Sequence, residues 1–89
     1  MKTLIIGVVE ALPEGLFWVT GRCCEEDISV GNILYHDTKP EVRVKVKEIE
    51  VYHKKRDILA HGYAGGVIVE LLDGGILPNS GCLVDVAKK

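Results

Sequence analysis

Eighty-nine residues hold one hydrophobic core, so the chain reads as one domain over residues 1–89. Apolar residues at 47 % and charged residues at 27 % exclude disorder. A formal net charge of −2 gives no global attraction to nucleic acid, so any such contact needs a local basic patch.

In chain order, residues 3–10 read as a first strand that ends at the turn Pro13-Glu14-Gly15. Residues 16–24 form a second strand with the only Phe and Trp, Phe17 and Trp18, on opposite faces: one in the core, the other partly exposed. Glu25-Glu26-Asp27 makes an acidic turn, and Gly31 suits a backbone position with positive φ. Residues 33–35 read as a short strand, and residues 36–40, from His36 to Pro40, as a polar loop.

The segment 42–52 carries the clearest pattern. Val42, Val44 and Val46 alternate with Arg43, Lys45 and Lys47, and the apolar parity then moves from even to odd at Ile49 and Val51. One inserted residue near Lys47 and Glu48, a β-bulge, accounts for the shift. A charged turn at residues 53–57 follows, with His53 continuing the inward parity of Ile49 and Val51. Residues 58–61 fit a short strand or one helical turn. Gly62, Gly65 and Gly66 exclude a long helix there. Residues 67–72 read as a strand closed by Asp73-Gly74-Gly75. A turn at 78–81 leads to a last strand at 82–86, and Ala87, Lys88 and Lys89 fray. Six or seven short strands without helical periodicity predict an all-β fold, a small closed antiparallel, Greek-key-like barrel.

Thr20-Gly21-Arg22, followed by Ile28-Ser29-Val30-Gly31 at fixed spacing, resembles the second domain of translational GTPases, the elongation factor Tu family. The segment from Val46 to Lys54, ending Glu50-Val51-Tyr52-His53-Lys54, is similar to that family's strand ending in Glu-Met-Phe-Arg-Lys. Ala64-Gly65-Gly66, Leu71-Leu72-Asp73-Gly74 and the stretch 76–84 fall where the family has its remaining signatures, with one extra residue in the last. The resemblance spans nearly the whole chain and implies a translation-factor domain II barrel standing without its GTPase domain. No Gly-x-x-x-x-Gly-Lys-Ser/Thr loop is present, so no nucleotide is expected. In elongation factor Tu this barrel helps hold the aminoacylated end of tRNA. Here Gly66 and Val67 replace an acidic residue and Asn, Asp73 replaces an Arg, and Glu25 and Glu26 stand where Arg and Gly occur. Those changes remove polar readers and reverse charge, so aminoacyl-tRNA binding is not carried over.

Two non-catalytic binding roles follow. The first is a translation-associated contact with RNA or the ribosome through Arg43, Lys45, Lys47, Lys54, Lys55 and Arg56. These are six cations over fourteen residues, with Tyr52 among them as a stacking surface. The plainer reading is a solvated strand face whose cations guard an edge and are neutralised by Glu48, Glu50 and Asp57. The second is a regulatory or inhibitory module that docks a protein through Leu16, Phe17 and Trp18 and through Glu25 and Glu26, without RNA. Homodimerisation through the aromatic strand is a further possibility.

No enzyme, metal or cofactor is expected. His36, His53 and His61 and the three cysteines lack zinc-ligand spacing, and Ser29 and Ser80 sit beside glycine turns rather than in a nucleophile elbow. Cys23, Cys24 and Cys82 cannot all pair, and Cys23 and Cys24 point to opposite strand faces with at least one inside. Reduced thiols in a cytoplasmic protein are the simplest reading. The first apolar run, residues 4–9, is too short to span a membrane or serve as a signal peptide.

Overall fold

A computed structural model of the chain describes residues 1–73 and 75–86. Nine strands are present among them: β1 (Lys2–Ala11), β2 (Leu16–Glu25), β3 (Ile28–Ser29), β4 (Ile33–His36), β5 (Arg43–Val51), β6 (Lys54–Arg56), β7 (Ile58–Leu59), β8 (Ala64–Asp73) and β9 (Cys82–Val84). A single 3₁₀ turn, Pro13–Gly15, joins β1 to β2. The order β4-β9-β1-β2-β8-β5 closes on itself through a β4–β5 pairing, giving a ring of six antiparallel strands. β6 extends β5 as a hairpin, and β3 with β7 forms a separate two-stranded ribbon. The predicted all-β barrel is the observed fold.

Alternation fills the ring. Leu4 and Ile6 of β1, Val19 and Cys23 of β2, Leu34 of β4, Val44, Val46, Ile49 and Val51 of β5, Val67 and Val69 of β8 and Leu83 of β9 are all buried in one cluster. β5 keeps its apolar residues inside because its register with β8 slips between Val46 and Glu48, leaving Lys47 as the extra residue. β1 has its own slip between Ile6 and Val8, at Gly7. At Gly21 a Cβ would stand 2.2 Å from the backbone oxygen of Ile5, so only glycine lets β1 and β2 approach at this corner.

The seam between β4 and β9 is short, Tyr35 against Val84 and His36 against Leu83. His36 reinforces it. The sequence places His36 in a polar loop, but it ends β4 and is 2 % exposed. The backbone N–H groups of Thr38 (3.2 Å) and Lys39 (3.3 Å) donate to its Nδ1, so Nε2 carries the proton and donates to the Ser80 carbonyl at 2.7 Å.

Phe17 points inward against the core while Trp18 points outward, as alternation requires, and each is half-buried. Cys23 is inside and Cys24 lies half-buried on the other face. The expected turn at residues 53–57 is a correction: the turn itself is Tyr52-His53, and Lys54–Arg56 is strand β6. His53 is consequently fully exposed rather than inward. Residues 58–59 resolve the helix-or-strand alternative as β7, and the last strand ends at Val84 rather than residue 86. Gly74 of the expected Asp73-Gly74-Gly75 turn, and the expected fraying of Ala87, Lys88 and Lys89, lie outside the described residues. Among the described residues no helix is long and apolar enough to cross a membrane.

Candidate nucleic-acid interface

The cations of β5 and β6 do not share one face: Arg43 and Lys45 alternate with inward Val44 and Val46, whereas Lys54 and Arg56 of β6 stand opposite inward Val51 and Ile49, and their electrostatics differ as well. On β5, Arg43 and Lys45 sit opposite Asp73 and Glu70 of β8. The Arg43 guanidinium meets the Asp73 carboxylate at 2.8 Å, and Lys47 reaches Glu70 at 4.0 Å. On β6, Lys55 pairs with Glu48 at 3.0 Å, whereas Lys54 and Arg56 are exposed with no ion pair among the described residues. Lys45, like Lys54 and Arg56, forms no ion pair among the described residues, and the hairpin also carries Glu48, Glu50 and Asp57. The acids expected to neutralise the patch were Glu48, Glu50 and Asp57. Glu48 does so, Glu50 lies 4.0 Å from the His53 ring, and the main partners are Glu70 and Asp73, brought alongside by β8.

The hairpin turn is unusual. Tyr52 has φ 53° and His53 φ 62°, the both-positive pattern of a type I′ turn, for which Asn-Gly is the ordinary choice. Side chains with a Cβ in this region cost roughly 1–2 kcal/mol each. Tyr52 is nevertheless 83 % exposed and makes no core contact that repays this. Residues held in sparsely populated φ/ψ regions cluster at ligand clamps and active sites in proteins.

Three clefts surround the hairpin. A cavity of about 430 Å³ opens beside the β5 bulge, lined by Val30, Lys47, Glu48, Ile49, Lys55, Arg56 and Asp57. A second, about 230 Å³, has Tyr52 and Tyr63 in its walls. A third, about 330 Å³, runs from Tyr52 and His53 past Glu50 to Trp18, Gly65 and Gly66. Sequence reasoning singled out Tyr52 but missed Tyr63, which a loop forty residues from Cys23 brings back against β2: the Cys23 N–H donates to the Tyr63 carbonyl at 2.9 Å. No sequence signal marks that return.

The residues named for protein docking are not gathered in one place. Leu16, Phe17 and Trp18 begin β2 and Glu25 ends it, about 25 Å away at ordinary strand rise. Leu16 and Trp18 are half-buried, and the Trp18 ring covers Gly66. That contact also explains Gly66 itself, because a side chain there would displace the indole. Glu25 and Glu26 are exposed beside the amino group of Met1. Next to them, the Asp27 carboxylate accepts hydrogen bonds from both the backbone N–H and the Nδ1 of His61, each at 2.9 Å, which hold it below the usual carboxylate range. Among the described residues no group of three His, Cys, Asp or Glu side chains converges as a metal site.

No protein-family model and no curated protein matches the chain. Solved structures do match. Translation elongation factor SelB from Methanococcus maripaludis, in its apo form, superposes with a TM-score of 0.78 at 16 % identity, over 92 % of this chain. The chain spans 18 % of that protein's length. At this identity the likeness establishes the architecture: the chain has the fold of a β-barrel module of a translation elongation factor.

Proposed function

We propose that the chain is a non-catalytic, translation-associated binding module that contacts RNA through the β5–β6 hairpin. The observation that carries the reading is Tyr52, an exposed aromatic on a strained turn, next to Lys54 and Arg56, which form no ion pair among the described residues. The shared architecture with SelB supports the association with translation. The Arg43, Lys45 and Lys47 end of the patch contributes less, because Glu70 and Asp73 offset it. Protein docking through the aromatic strand has weaker support, since its apolar and acidic parts stand apart on β2.

Filter binding with tRNA and with ribosomal RNA fragments at two salt concentrations tests the reading. Reversing both Lys54 and Arg56 to Glu should weaken binding and flatten the salt dependence by about 1.5–2 units of log-log slope. Reversing Lys45 and Lys47 should change it less. An unaltered slope in the Lys54 and Arg56 variant overturns the reading.

A further inference from the structure

We infer that Asp73 and Glu70 of β8 are specificity-determining carboxylates: by occupying Arg43 and Lys47 they deny the outer face of β5 to an RNA phosphate and leave the hairpin as the contact. This rests on the RNA reading above and goes beyond it by naming the residues that limit the footprint.

The pairing follows from strand register. β8 runs beside β5 with Asp73 opposite Arg43 and Glu70 opposite Lys45. Lys47, the extra residue of the bulge, is exposed and also reaches Glu70, at 4.0 Å. Two acids therefore serve three cations along this face, and a single positive charge is left over.

Asp73 closes its cation for a geometric reason. An arginine grips a phosphate through two N–H groups on one edge of the guanidinium. The Nε of Arg43 is enclosed and meets no hydrogen-bond acceptor among the described residues, so the edge left to an incoming anion is Nη1–Nη2. Nη2 on that edge already lies 2.8 Å from the Asp73 carboxylate. A phosphate arriving at Arg43 finds no free pair of donors, and it must also come up beside a carboxylate of its own sign. Lys47 is held more loosely by Glu70. All four side chains are between 42 % and 60 % exposed, so they stand where a polyanion would meet them.

The test is anisotropy of labelled tRNA and ribosomal RNA fragments at low and raised salt. The proteins are the unaltered chain, Asp73→Asn, Glu70→Gln, Arg43→Gln, and Arg43→Gln combined with Asp73→Asn. The altered side chains are exposed, so circular dichroism and thermal unfolding should stay close to those of the unaltered chain. Asp73→Asn should bind about three- to tenfold more tightly, with a log-log salt slope steeper by about 0.7–0.9, the signature of one added phosphate contact. Glu70→Gln should gain less. Arg43→Gln alone should bind as the unaltered chain does, and in the double variant the gain from Asp73→Asn should vanish. Unchanged binding by Asp73→Asn overturns the screening role and leaves the hairpin reading in place. So does a gain that survives Arg43→Gln, because it then reflects bulk charge alone. Binding by Asp73→Asn but not by the unaltered chain upholds the screen and overturns the hairpin as the contact. No binding by any of these proteins at low salt overturns both readings together.

Discussion

The indole of Trp18 lies over Gly66 of β8, so closely that a Cβ at Gly66 would stand 2.2 Å from two of its ring atoms. The two strands pair with Thr20 opposite Gly66, so Trp18 crosses diagonally to cover a gap that any larger residue would close. Gly66→Ala should therefore lower stability by about 1–3 kcal/mol in urea unfolding and shift Trp fluorescence to the red as the ring is pushed into water. Adding Trp18→Ala should remove most of that penalty. At Gly21 the obstacle is the Ile5 backbone rather than a side chain, so Gly21→Ala should cost more than Gly66→Ala.

His36 closes the β4–β9 seam by accepting at Nδ1 and donating at Nε2. His36→Ala removes the buried ring that accepts from the Thr38 and Lys39 N–H groups and donates to the Ser80 carbonyl. A loss of about 2–4 kcal/mol is expected, and hydrogen exchange should show β9 opening before β2 or β8. Exchange that remains uniform across the ring would show that the seam does not depend on this side chain.

Asp27 carries a pH dependence. Its carboxyl is held low chiefly by the His61 backbone N–H, then by the His61 ring. A depressed acid stabilises the folded state above its unfolded pKa, near 3.9, and that contribution disappears as pH falls through the lower folded value. The unaltered protein should lose more stability between about pH 5 and pH 3 than Asp27→Asn does. Matching acid profiles would mean that the Asp27–His61 contact does not survive in solution.

Cys23 should be chemically silent. Burial pushes its thiol above the usual range, and Sγ donates to the Glu26 carbonyl at 3.1 Å. Less thiolate and no access predict that iodoacetamide modifies Cys23 only after unfolding, as peptide mass spectrometry would report. Rapid modification in the folded state would contradict its placement inside the barrel.

Most of the barrel was legible because its strands follow period-two alternation. Even the bulge at Lys47 showed as a change of parity between Val46 and Ile49, since a strand that must keep one face dry exposes any inserted residue in its pattern. The site was less legible. The charge pairs of Arg43 and Lys47 depend on which strand lies beside β5, and the β5–β8 register is a long-range fact absent from local sequence. The β5–β6 turn was hidden because Tyr-His stands where Asn-Gly would signal it. Tyr63 could not be joined to Tyr52 because the loop that carries it is fixed by backbone bonds to Cys23, which leave no mark on residue choice. His36 was misplaced for a related reason: a polar residue beside a loop resembles loop until its backbone partners are known.

The most direct measurement is a backbone amide NMR titration of the unaltered chain with a short single-stranded RNA. Shift changes concentrated at Tyr52, His53, Lys54, Arg56 and Tyr63, and weakening as salt is raised, are the predicted result. Changes confined to Leu16, Phe17 and Trp18, or none at any RNA concentration, would contradict a module that reads RNA through its hairpin.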